Sequence, residues 1–144
     1  MLSPKALSLA EMKIEFLDDI SKGGKCPQVV SNQLVRLYDF DTSQAAMLKE
    51  AIQKTEIEGK GEINLSSLEF IDPVNCNLNL RISKEDIGIM TQDKINFVCC
   101  LTIAGFKEMI YFLVPFCVGD ADGYQWLYDL DCPIDFLFSP GGTW

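Results

Sequence analysis

Histidine is absent from the chain. That removes Ser-His-Asp and Cys-His catalysis, histidine-ligated zinc and the two-histidine, one-carboxylate iron site. Any catalysis would fall to carboxylates, cysteine, lysine or tyrosine. No Cys-x-x-Cys occurs either, so the six cysteines have no zinc-site or redox-motif spacing. Cys99 and Cys100 are adjacent in an apolar run, Cys26 and Cys132 each precede proline, and Cys76 and Cys117 stand alone. A chain of 144 residues can build a core without covalent staples. Free thiols are therefore expected, with Cys99, Cys100 and Cys117 mostly buried. Neither a metal site nor a cofactor is expected.

Lysine and arginine are missing after Lys107, whereas Glu108, Asp120, Asp122, Asp129, Asp131 and Asp135 all follow it. The net charge is −9, and it gathers towards this end. Nucleic acid is a poor partner for such a surface, and so is an anionic membrane. Long apolar runs are also missing. The longest, Met109 to Val118, is about half of what a membrane span requires. Charged residues break up Met1 to Ile20, so no secretory signal is expected and the expected location is cytoplasmic.

What is present reads as one domain over residues 1–144. Ser8 to Glu11 has the form of a capping box, and Leu9, Met12, Phe16 and Ile20 recur at helical spacing before Gly23-Gly24. A helix is expected over residues 9–22. Leu34 to Tyr38 reads as a strand. Asp41, Thr42 or Ser43 then caps a second helix with Ala45, Leu48, Ala51 and Ile52 inward, closed by Gly59 and Gly61. A meander follows. Glu62 to Ile71 alternates, with an offset at Ser66-Ser67 suited to a β-bulge, and Asp72 to Asn75 is turn chemistry. Leu78, Leu80 and Ile82 alternate with Asn77, Asn79 and Arg81, giving a strand with one wet face. Asp86 to Met90 and Lys94 to Leu101 flank a turn at Thr91-Gln92-Asp93. A third helix, capped by Thr102, is expected over residues 103–114 and stopped by Pro115. Tyr124 to Asp129 and Ile134 to Ser139 read as a closing hairpin. The expected class is α+β, mainly an antiparallel sheet of about six or seven strands with three helices, in the order α-β-α-β-β-β-β-α-β-β.

Asp39-Phe40-Asp41 follows a strand, and over Leu34 to Ser43 it resembles motif one of haloacid-dehalogenase-type phosphatases. The resemblance implies a nucleophilic Asp39, a second acid in Asp41, a Mg²⁺-dependent hydrolase and a parallel doubly wound sheet. The family has Thr or Val four places after its first aspartate, where this chain has Ser43. The preferred reading is structural: Asp39 ends the strand and Asp41 caps the helix. Asp120-Ala121-Asp122-Gly123 has the start of a calcium loop, but the third ligand and the later glutamate are missing. A turn is preferred there too. Tyr124, Trp126 and Tyr128 would share one strand face, either as a platform for a small ligand or stacked in the core on Phe136 and Phe138. By the same alternation Trp126 and Phe136 belong to the packed side. Asp129, Asp131 and Asp135 then fall in water, and Trp144 has no evident core position.

These observations point to a non-catalytic protein-interaction domain acting through an acidic, aromatic C-terminal region. Asp120, Asp122, Tyr124, Trp126, Tyr128 and Trp144 are its binding residues, and a protein partner or a second copy is the ligand. The rivals are the hydrolase of Asp39 and Asp41 and a small-ligand binder on the aromatic face. Thiol titration of freshly purified, denatured protein is expected to find all six cysteines reactive. Reproducible loss of two or more without oxidant would contradict the free-thiol reading.

Overall fold

The computed structural model describes residues 12–18, 33–59, 61–119 and 123–140. Among these the chain runs β1 (Met12–Asp18), β2 (Gln33–Tyr38), α1 (Thr42–Ile52), a π-helical turn (Gln53–Glu58) and β3 (Glu62–Asn64). A 3-10 turn (Leu65–Ser67), β4 (Ile71–Pro73), β5 (Asn77–Ile82), β6 (Gly88–Thr91) and β7 (Asn96–Leu101) follow. The chain continues through α2 (Ile103–Cys117), β8 (Gln125–Trp126) and β9 (Ile134–Ser139). The strands form two mixed sheets, β4-β1-β2-β9-β8 and β3-β5-β7-β6. The class is α+β, as expected. The single, mainly antiparallel sheet is not found, because β1 with β4, β2 with β9 and β5 with β7 all pair in parallel. Strands close in sequence are divided between the two sheets, so many neighbours in the chain are not neighbours in a sheet.

The first expected helix is wrong over the described residues. Met12–Asp18 is a strand between β2 and β4, with Met12, Ile14 and Phe16 buried and Lys13, Glu15 and Leu17 on the other face. This segment carries both periods, since Met12 and Phe16 are four apart and Met12, Ile14 and Phe16 two apart. Pairing on both sides selects the second. The capping box at Ser8 and the Gly23-Gly24 pair lie outside the described residues.

β2 sits between β1 and β9, and Leu34, Val35, Arg36 and Leu37 are all buried. A strand covered on both faces reads as a continuous apolar run. Val35 and Leu37 face the main core, while Leu34 packs with Leu137, Leu17 and Trp126 on the opposite face. Trp126 aligns with Leu137, so it lies across the sheet from Phe136, not beside it as expected. The C-terminal hairpin is genuine but short, because β8 has two residues.

Asp41 caps α1. Its carboxylate accepts the Gln44 amide at 2.8 Å, and the Gln44 side chain accepts the Asp41 amide at 3.1 Å, a reciprocal capping box. The helix does not stop near Gly59 as a plain α-helix. It widens at Gln53 into the π-helical turn, which Gly59 closes through its amide to the Lys54 carbonyl. The expected bulge at Ser66-Ser67 is instead the 3-10 turn, opened by Asn64 accepting the Ser66 amide at 2.9 Å. The expected turn at Asp72-Pro73 begins within β4. Pro73 is tolerated there because β4 is an edge strand.

Thr102 caps α2 by accepting the Gly105 amide at 3.0 Å. Asp86 holds the cap, accepting the Thr102 amide and hydroxyl at 2.8 and 2.9 Å. A Cβ on Gly105 would stand 2.5 Å from the Asp86 carboxylate, so only glycine leaves that bridge room. Pro115 does not end the helix, which runs on to Cys117. Phe116, just past the proline, packs edge-on against Phe138 at 5.0 Å and near Phe40 at 6.2 Å. Burial of that ring outweighs the one backbone bond that proline forfeits in a last turn.

One apolar cluster joins the inner faces of both sheets and the buried faces of both helices. Phe16 of β1 meets Phe97 of β7 with ring centroids 4.8 Å apart. Elsewhere the sheets are tied by Tyr128. Its hydroxyl accepts the Ile89 amide of β6 at 3.1 Å and donates to the Ile134 carbonyl of β9. Gly88 adopts φ +88, and a Cβ there would lie 2.8 Å from the Cys132 sulfur and 3.2 Å from the tyrosine oxygen. Tyr128→Phe is expected to leave the Ile89 amide without its partner and the Ile134 carbonyl with only the Cys132 thiol at 3.3 Å, and to cost about 1–3 kcal/mol in urea unfolding. An unchanged midpoint would contradict the bridging role.

Candidate functional site

The aromatic trio read from the sequence does not share a face. Tyr124 is exposed, and its ring lies edge-on to that of Trp126 at 6.0 Å. Tyr128 is buried against Phe136, and burial drives its hydroxyl pKa strongly upward. Asp120, Asp122 and Trp144 lie outside the described residues. Asp129 and Asp131 are exposed, while Asp135 is half-buried. Its carboxyl is raised by that burial and by the neighbouring Asp129.

Asp39 and Asp41 are engaged structurally. Asp39 takes φ 59, a left-handed conformation that aspartate tolerates better than most residues, and pairs with Lys13 at 3.2 Å. Asp41 is the helix cap described above. Among the described residues, no group of three or more histidine, cysteine or acidic side chains is placed to hold a metal ion. The described cysteines are free thiols, and desolvation raises Cys76 to about 12 and lifts Cys99, Cys100 and Cys117. Raised thiols make poor nucleophiles.

Among the described residues, an open recess lies on the outer face of the second sheet. Alternation along β5 sends Leu78 and Leu80 into the core and Asn77, Asn79 and Arg81 outward. In the paired register, Asn96 and Val98 of β7 and Met90 of β6 join them. Asn77 donates to Asn96 at 3.1 Å, and Arg81 pairs with Glu62 of β3 at 2.6 Å. A groove of about 480 Å³ runs along this face, lined by Asn79, Met90, Gln92, Asp93, Asn96 and Val98, with Thr91 and Phe97 completing it.

Its rim is the β6–β7 turn, which is closely bonded. Thr91 donates its hydroxyl to the Asn96 carbonyl at 2.8 Å and accepts the Lys94 amide at 2.9 Å. The Asp93 carboxylate accepts the amides of Asn96 and Ile95 at 2.8 and 2.9 Å and the Asn96 side chain at 3.0 Å. Those bonds, the Asn96 amide foremost, pull its pKa down to about 2. Asp93 therefore carries its charge at any ordinary pH. Lys94, at φ 60, turns away to Asp18 at 3.0 Å.

Three of the exposed large apolar side chains flank this strand pair: Ile87, Met90 and Ile95, the last 54% exposed. Met90 also borders a second hollow of about 350 Å³, beside Gln33, Ile89, Lys94, Pro133 and Ile134. The wet face of β5 and the turn at Thr91 were both legible in the sequence. Their meeting with Met90 and Val98 was not, because it depends on the parallel pairing of β5 with β7.

No family model matches the chain, and no curated protein or solved structure matches it significantly. Among the described residues, no helix is long and apolar enough to cross a membrane.

Asp41→Ala is expected to lower stability by about 0.5–2 kcal/mol in thermal unfolding. Mg²⁺ is expected to leave the melting temperature of the wild type unchanged. A Mg²⁺-dependent rise lost in the Asp39→Asn, Asp41→Asn double variant would make the pair a metal site.

Proposed function

We propose that this protein is a non-catalytic interaction domain whose groove over β5, β7 and β6 takes an extended, cationic segment of a partner protein. The carrying observation is the make-up of that groove. Carboxamides of Asn79, Gln92 and Asn96 alternate with the aliphatic Val98 and Met90 on an open sheet face. The Gln92 carboxamide can offer both a donor and an acceptor to peptide groups, Asn96 is held in place by Asn77 and Asp93, and the aliphatic surface suits apolar side chains. The groove's one aromatic side chain, Phe97, is buried, so no exposed ring stacks on a sugar or a base. The ionised Asp93 at the rim and the net charge of −9 favour a basic segment and disfavour an acidic one.

The ligand would lie on the sheet face rather than extend the sheet, because the Ile89 amide of edge strand β6 is already taken by Tyr128. The described thiols with raised pKa values, and the engagement of Asp39 and Asp41 in an ion pair and a cap, support the non-catalytic part of the reading. What favours this face over the C-terminal edge is that Tyr128 is buried against Phe136.

Amide chemical-shift mapping with extended peptides alternating lysine and valine tests this. Shifts are expected at Asn79, residues 90–93 and residues 96–98. Met90→Lys, which removes the apolar contact and adds like charge, is expected to weaken binding at least about tenfold, equivalent to about 1.4 kcal/mol. Binding is expected to fall as salt rises. Shifts confined to Tyr124 and Trp126, or equal binding by a glutamate-valine peptide, would overturn the assignment.

A further inference from the structure

Glu56 is the anomaly of the core. It belongs to the π-helical turn, is 0% exposed, and neither carboxyl oxygen makes a well-formed hydrogen bond. An unpaired charge in such a place costs several kcal/mol, so a buried carboxyl of this kind is held as the neutral acid. Among the described residues, its surroundings supply no compensating cation. The buried residues of α1, α2 and β5, the elements that pack on the turn together with β3, carry no charge. On β3, Glu62 repels a charge on Glu56, although Glu62 is itself paired with Arg81. On β7, Glu56 faces Cys99, a fully buried thiol that its charge would push further up. Among the described residues, the Ile63 backbone amide favours the charged form but is outweighed.

The turn that carries this acid is weakly built. A π-helix is rare and spreads its bonds over a wider turn than an α-helix. Gly59 and Gly61 close it through amides to Lys54 and Thr55, and the segment leads directly into β3, a three-residue edge strand. The neighbouring Lys54 is turned outward to Glu50 at 2.8 Å and does not reach inside.

We propose that residues 53–59 form a proton-controlled latch: protonated Glu56 keeps the turn in the core, and loss of that proton draws the turn open so that the carboxylate reaches water. The reaction is a plain proton exchange with solvent. The sign follows from the closed-state pKa, raised to about 7 by burial first and by Glu62 second, against an ordinary value of 4.5 in the open state. The closed form binds the extra proton between those values. Closure is therefore fully favoured below the lower value, is lost as pH rises through the window, and stays at its weakest above about 7.

Native-state hydrogen exchange on the full chain at pH 5 and pH 8, corrected for intrinsic rates, tests this. The opening equilibrium of residues 53–59 is expected to rise about tenfold or more over that range. At pH 8 it is expected to exceed that of the core amide of Leu113 at least about tenfold. Glu56→Gln keeps the shape without the charge and is expected to abolish the pH dependence. A pH dependence retained in Glu56→Gln would overturn the proposal, and so would openings equal to that of Leu113, which would mean whole-chain unfolding. If that variant does not fold, a ¹³C titration of the wild-type Glu56 carboxyl decides. A midpoint near 7 supports the latch, and one near 4.5 overturns it.

Discussion

A single phenol hydroxyl holds the two sheets together at one end. Tyr128 receives an amide from β6 and gives its proton to a carbonyl of β9, so two edges from different sheets share one buried polar atom. Buried backbone groups must find partners, and here one hydroxyl serves the Ile89 amide and shares the Ile134 carbonyl with the Cys132 thiol. The ring rests on Phe136, and Gly88 yields the space a side chain would fill. With the Phe16–Phe97 contact joining the sheets elsewhere, the relative placement of the sheets is set. The shared core, and the exposure of the outer face of the second sheet, both follow from that placement.

Several ion pairs link strands. Arg36 of β2 pairs with Glu15 of β1 at 2.8 Å and stacks over Tyr38 at 3.9 Å. Arg81 joins β5 to β3, and Lys94 ties the β6–β7 turn to Asp18 at the end of β1. The exposed pairs among these contribute little each, because water screens them, while Arg36 is nearly buried and its charge must be paired. Since the chain has 12 basic residues against 21 acidic ones, pairs of this kind leave an excess of carboxylates on the surface. A cationic partner would meet that excess.

The groove and the latch occupy opposite sides of the same sheet. Along β3 and β5, one face turns Ile63, Leu78 and Leu80 towards the core beside the π-helical turn, while the other presents Glu62, Asn79 and Arg81 to water. Glu62 reaches Asn79 at 3.5 Å as well as Arg81, so the small strand β3 contacts both regions. A short edge strand has few bonds to break, and stability there is local rather than global.

Local chemistry was readable wherever a residue acts on its near neighbours. Asp41 caps the helix after it, Thr102 caps the next, Thr91-Gln92-Asp93 turns the chain, and the alternation of β5 separates a dry face from a wet one, all as their residue types imply. Six scattered cysteines and no histidine were enough to set aside several kinds of catalysis. What the tertiary structure decided depends on partners distant in the chain. Met12–Asp18 became a strand because β2 and β4 flank it, Trp126 and Phe136 fell on opposite faces because the register aligns Trp126 with Leu137, and Tyr128, allowed by the sequence either on a ligand face or in the core, came to bridge two sheets. Glu56 carries no mark in the sequence that distinguishes it from any solvated glutamate. It is buried because the π-helical turn places it against β3 and α2, and the free energy of that packing is a property of the assembled core, not of the residues beside it.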